Sequence, residues 1–111
     1  PLINIKANPG MTYKNRSALE APQLAAKIPG KPESYVMVNI EDKQTLVFAG
    51  NNLPAAYLEL KSLGLPEAET TDLSSSLCAF INETLDIDTG RIYIEFSNAE
   101  RHMWGWKGGT F

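Results

Sequence analysis

The feature that most constrains this chain is a repeated order of strand, helix and strand, each repeat running about 50 residues. Pro1-Leu2-Ile3-Asn4-Ile5 opens the first repeat, with Ile3 and Ile5 facing one way and Leu2, Asn4 and Lys6 the other. That alternation is the pattern of a strand with one buried face. Ala7-Asn8-Pro9-Gly10 is a turn signal. Residues 13–28 then place Ala18, Leu19, Leu24, Ala25 and Ile28 at roughly helical spacing, with Asn15 or Ser17 available as a cap. Pro22 falls inside that stretch. A proline within a helix removes a hydrogen bond and costs about 3 kcal/mol. The expectation is a helix kinked at Pro22; the alternative is a shorter helix with Pro22 in its first turn. Pro29-Gly30 ends it. Residues 34–41 read as the next strand, with Val36, Val38 and Ile40 on one face and Tyr35, Met37 and Asn39 on the other.

Lys43-Gln44 predicts a turn, and Thr45-Leu46-Val47-Phe48-Ala49 a short strand broken by Gly50-Asn51-Asn52. Residues 55–60 resume an extended, apolar-rich run that stops at Leu63-Gly64. Pro66 and the acidic Glu67, Glu69 and Asp72 open a second helix, where the dipole favours negative charge. Its apolar stripe is Leu73, Leu77, Phe80, Ile81 and Leu85. After the turn at Asp88-Thr89-Gly90, residues 91–97 form a last strand, with Ile92, Ile94 and Phe96 opposed to Tyr93, Glu95 and Ser97. With right-handed crossovers, the two parallel pairs join in one mixed four-stranded sheet. The expected fold is therefore α/β: a duplicated βαβ two-layer sandwich with both helices on one face, as a single domain over residues 1–111. The other face would carry Leu2, Tyr35, Met37 and Tyr93. So many large side chains in water predict an oligomer.

Composition removes several functions. Net charge is −3 with no run of like charges, so neither a nucleic-acid surface nor a membrane-surface helix is indicated. No apolar stretch approaches the roughly 20 residues that span a bilayer. The lone Cys78 allows no internal disulfide and is compatible with a reducing cytoplasm, the expected location. His102 is the only histidine, so no metal-ligand cluster and no nucleophile–base pair is expected, and no cofactor. Gly105, Gly108 and Gly109 lack the following helix that a phosphate-cradling loop needs.

The remaining chemistry gathers around Pro1. No reading frame opens on proline, so the expectation is that an initiator methionine has been removed, leaving a free secondary amine. Methionine trimming before a small residue is common and by itself says nothing of catalysis. A strand at the terminus would nonetheless hold the amine in place, and partial burial would bring its pKa toward neutrality, as a general base requires. Lys31, in Gly30-Lys31-Pro32, is on spacing alone a solvated loop charge. If the first two strands pair in parallel, it approaches Pro1, where it would depress the amine's pKa and hold a carboxylate. Tyr93 and Glu95 share a strand face, which is either a solvent-facing surface or the polar wall of a pocket. Trp104, Trp106 and Phe111 suit an apolar pocket for an aromatic ligand and equally suit core or interface packing.

Taken together, Pro1, Gly30-Lys31-Pro32-Glu33-Ser34-Tyr35, Phe48-Ala49-Gly50, Ser62-Leu63-Gly64, Arg91-Ile92-Tyr93-Ile94, Gly105-Trp106 and Thr110-Phe111 carry a family likeness. Over essentially its full length the chain resembles the macrophage migration inhibitory factor family of the tautomerase superfamily. The resemblance implies a homotrimer whose sheets wrap into a central β-barrel, with a site at each subunit boundary. It implies a keto–enol tautomerase acting on small aromatic α-keto acids such as phenylpyruvate. Pro1 would be the catalytic base and Lys31 would bind the substrate carboxylate or carbonyl oxygen. Leu63 and the backbone of Ser62 would form part of the wall, and Tyr93 would come from the neighbouring subunit. Leu2, Tyr35, Trp106 and Phe111 would enclose the ring.

The chain also departs from the family pattern. Glu95 stands where relatives place an asparagine, and a carboxylate there would raise the pKa of Pro1 and repel an anionic substrate. Trp104 replaces a small aliphatic residue and would narrow the entrance. Ala55 and Leu58 stand where vertebrate members carry a Cys-x-x-Cys, so thiol oxidoreductase activity is not expected. A signalling or interaction protein with a vestigial pocket is the competing reading; another small α-keto acid as true substrate is a third.

Overall fold

Strand β1 (Leu2–Ala7) keeps the predicted alternation, with Ile3, Ile5 and Ala7 buried and the residues between them half-exposed. In the computed structural model, which describes residues 1–111, β1 lies inside a four-stranded sheet. It pairs in parallel with β2 (Met37–Glu41) and antiparallel with β3 (Ala56–Leu63), and β3 pairs in parallel with β4 (Ile92–Ala99). The order is β2-β1-β3-β4. Each parallel pair is one βαβ unit, and the antiparallel β1–β3 ladder joins the two.

Register decides which side is the core. Ile3 lies opposite Leu60 and Ile5 opposite Leu58, and all four are fully buried. They form one cluster with Leu19 and Leu24 from the first crossover and Leu73, Leu77 and Ile81 from the second. Both crossovers therefore cover the same face, as the alternation of the strands requires. Phe80 and Leu85 of the predicted stripe pack at its margin.

The first crossover differs from expectation. It is not one kinked helix over residues 13–28 but two helices, α1 (Tyr13–Glu20) and α2 (Pro22–Ala25), with Ala21 extended between them at φ −70 and ψ 157. Proline drives the residue before it out of helical geometry, and Pro22 then starts α2, where its missing N–H costs nothing. The cap of α1 is Thr12 rather than Asn15 or Ser17. Thr12 Oγ1 accepts from Asn15 N–H and Asn15 Oδ1 accepts from Thr12 N–H, both at 3.1 Å. The second crossover begins with a 3₁₀ turn (Glu67–Glu69) before α3 (Thr70–Leu85), which ends at Asp86 in the left-handed region.

Two other expectations are corrected. Residues 45–49 form no strand; only a tight bridge between Phe48 and Asn51 occurs there. Tyr35 is not on the sheet: it lies in a 3₁₀ turn (Glu33–Tyr35), and β2 begins only at Met37. The open sheet face therefore lacks Tyr35. Around Leu2, Met37 and Tyr93 it carries Asn4, Lys6, Asn39, Tyr57, Glu59, Lys61 and Glu95 in adjacent rows. No helix of the chain is long and apolar enough to cross a membrane.

Candidate active site

Parallel pairing sets the start of β2 beside the start of β1, and Met37 N–H donates to Pro1 O at 2.8 Å. Antiparallel pairing brings the far end of β3 to the same edge, since Leu2 lies opposite Lys61. The loop between α2 and β2 crosses this edge through Gly30, whose φ of 68 suits glycine. Lys31 follows, and its Nζ donates to Leu63 O at 2.8 Å. One bond to a carbonyl leaves the ammonium two further N–H donors.

A cavity of about 370 Å³ opens here, with Pro1, Lys31 and Leu63 in its lining. Its apolar side is aromatic. A two-stranded hairpin, β5 (Gly105–Trp106) with β6 (Gly109–Thr110), turns through Lys107 and Gly108, both at positive φ. Trp106 stacks on Phe111 at 5.4 Å, and Tyr35 meets both edge-on, at 5.4 and 6.0 Å. Trp104 also lines the cavity and is held by its backbone, which donates to Arg101 O and accepts from Phe111 N–H.

The Pro1 nitrogen, as a chain-terminal amine, titrates below the ordinary value for such a group. Partial burial is the larger cause, and the positive charge of Lys31 is the second. Both disfavour the ammonium form, so more of the amine is free to accept a proton near neutral pH.

Of the predicted site residues, Pro1, Lys31, Tyr35, Leu63, Trp104, Trp106 and Phe111 share this cavity. Leu2, Ser62, Tyr93 and Glu95 do not line it within the chain. Ser62 is fully buried, with its hydroxyl donating to Leu63 O at 3.2 Å. Tyr93 is 65% exposed and rests edge-on against Phe48 at 4.9 Å. Glu95 accepts a hydrogen bond from Tyr57 Oη at 2.5 Å across the sheet. That bond, followed by desolvation and the charges of Glu59 and Glu95, pushes the Tyr57 phenol up to about 12. The sequence reading missed Ser34, Val36 and Met37, which also line the cavity. They follow Lys31 directly, and the only available signal was that proximity.

A doubled βαβ sandwich with its pocket where the first strand begins defines the two-layer α/β class of the tautomerase superfamily. The family model for macrophage migration inhibitory factor matches residues 1–111, and the chain belongs to that family. Mouse macrophage migration inhibitory factor is 33% identical over 93 residues, 83% of this chain and 81% of its own length. A homologue from Trichinella spiralis is 39% identical over 89 residues, 79% of this chain and 78% of its own. Among solved structures, the Prochlorococcus marinus homologue superposes with a TM-score of 0.91 at 38% identity, covering 100% of this chain and 99% of its own. The Trichinella spiralis structure gives 0.91 at 34% identity with 100% of both chains covered.

Proposed function

We propose that this chain is a cofactor-free keto–enol tautomerase of arylpyruvates such as phenylpyruvate, working as a homotrimer whose sheets form a central barrel. Pro1 is the base. Its free nitrogen removes a proton from the carbon between the ring and the carbonyl. Negative charge then moves to the carbonyl oxygen, beside the Lys31 ammonium, and the protonated Pro1 amine returns its proton to that oxygen, which completes the enol and frees the base. The reverse sequence gives the keto form. Lys31 also holds the substrate carboxylate, using the donors not bound to Leu63 O. Tyr35, Trp106 and Phe111 receive the ring, Trp104 bounds the entrance, and Tyr93 completes the pocket from a neighbouring subunit, with Leu2, the Ser62 backbone and Glu95 along the same boundary.

One observation supports this reading above the others: an amine of lowered pKa and a lysine ammonium occupy one aromatic-lined cavity. The test is the rate of phenylpyruvate ketonisation against pH, for this chain beginning at Pro1, for Lys31→Ala and for a form extended by methionine. Activity that rises with pH through the depressed amine pKa and disappears in the extended form is expected. No rate above buffer at any pH, in a correctly processed oligomer, would sink the reading. The relatives are named for an effect on macrophage migration. A purely signalling role would leave the pocket unused, and the methionine extension would then alter nothing.

A further inference from the structure

Arg91 lies outside the cavity, and the tautomerase mechanism gives it no part. Its guanidinium is nonetheless heavily engaged. Nε donates to Pro54 O at 2.9 Å and Nη1 to Phe48 O at 3.1 Å. Nη2 donates to Leu53 O at 3.0 Å and to Asn51 O at 3.4 Å. Four of the five donors of the side chain thus hold carbonyls of a single loop. Asn8 braces the same loop as well, donating to Asn52 O and Leu53 O and accepting from Ala55 N–H at 2.8 Å.

The loop itself is strained. Phe48 and Asn51 exchange two backbone bonds across Ala49 and Gly50, at φ 53 and 78. A left-handed alanine costs roughly 1–2 kcal/mol. The arrangement fixes Phe48, whose ring lies under the Arg91 guanidinium at 5.1 Å and edge-on to Tyr93 at 4.9 Å. Tyr93 is two residues beyond Arg91 on β4 and mostly exposed, and its hydroxyl makes no hydrogen bond within the chain.

We infer that Arg91 and Phe48 are positioning residues: Arg91 orders the loop, the loop sets the Phe48 ring, and that ring holds Tyr93 in the orientation in which it meets substrate. The inference rests on the tautomerase reading and deepens it. Without the ring, Tyr93 would sample several rotamers, and the productive one would have to be selected at each turnover.

A double-mutant cycle on phenylpyruvate tests it. Phe48→Ala is expected to lower kcat/KM about tenfold beside Tyr93 and by less than about twofold in the Tyr93→Ala background, because residues acting through one another are not additive. Phe48→Tyr, which keeps the ring, should restore the rate. Arg91→Lys should behave as Phe48→Ala does, since one ammonium cannot serve four carbonyls. Thermal unfolding and oligomer size of each variant identify those that fold, and the cycle is read on these; Phe48→Leu replaces Phe48→Ala if the latter does not. Equal losses in both backgrounds would overturn the inference and leave the tautomerase reading intact. Full activity in Tyr93→Ala would overturn it too, by removing Tyr93 from the site, while loss of activity on blocking Pro1 would still support the base.

Discussion

The two βαβ halves follow one plan and differ in regularity. In the second, α3 runs 16 residues unbroken between two strands of 8. In the first, the crossover is split into helices of 8 and 4 residues and leads into a strand of 5. The irregular half supplies most of the cavity: Pro1, the loop carrying Lys31, and the 3₁₀ turn carrying Tyr35. The regular half supplies buried helix and strand. Two cations mark the same division. Lys31 gives one bond to a carbonyl and keeps donors for a ligand, whereas Arg91 spends four on its loop. The cavity gathers mostly where the repeat is broken, while both halves supply the core.

The largest expected effect breaks the irregular half alone. Extending the chain by methionine converts the Pro1 amine to an amide and should lower kcat/KM by about 10²-fold or more, the usual contribution of a general base. The urea midpoint should not change, because Pro1 precedes β1, is only half-buried and lies outside the core cluster. The converse comes next. Leu77 is fully buried in α3, and Leu77→Ala should cost about 2–5 kcal/mol in urea unfolding. Its kcat/KM per folded molecule should stay close to that of the parent. A large loss of kcat/KM in folded Leu77→Ala would show that the halves are not separable in this way.

Lys31→Ala tests the electrostatic part of the site. Two effects should appear together. kcat/KM should fall by about tenfold as the charge-assisted contact to the substrate is lost. The pH–rate midpoint should move upward, because a like charge that disfavours protonated Pro1 has been removed. The midpoint should still lie below that of an ordinary terminal amine, since burial is the larger cause of the shift. A midpoint that falls would reverse the assigned sign.

The same division governs what could be read in the sequence. The period-2 strands and the α3 stripe were legible because burial of one face imposes a pattern that local residues must obey. Ile3, Ile5, Leu73, Leu77 and Ile81 all lie in the core. Residues 45–49 misled, since Leu46, Val47 and Phe48 have the composition of a strand but end in a turn with Ala49 and Gly50 at positive φ. Nothing in that stretch announces that its carbonyls belong to an arginine some forty residues away. Pro22 was ambiguous for a related reason: proline forbids a continuous helix but does not choose between a kink and a restart. For the site, parallel pairing puts successive strand starts side by side and so lets Lys31 approach Pro1, but on spacing alone Lys31 reads as a solvated loop charge, and the family likeness was what singled it out. Tyr35 was assigned to the wrong element, yet its ring reaches the cavity from the 3₁₀ turn.

The smallest effect concerns the open face of the regular half. Glu59 and Glu95 lie directly opposite each other on β3 and β4, an unfavourable like-charge pair. Each is drawn aside, Glu59 toward Lys61 Nζ at 3.4 Å and Glu95 toward the Tyr57 hydroxyl. A neutral phenol donates to a carboxylate and a phenolate cannot, so the bond opposes ionisation of Tyr57 and is the largest cause of its rise to about 12. Glu95→Gln removes both the acceptor charge and one of the two repelling carboxylates. Tyr57 should then ionise nearer the ordinary tyrosine range, read as phenolate absorbance gained earlier in an alkaline titration and lost from it in Tyr57→Phe. If Tyr57 still titrates near its former value, desolvation and Glu59 hold the phenol instead. The open face would then owe its order to the strands beneath it rather than to this pair.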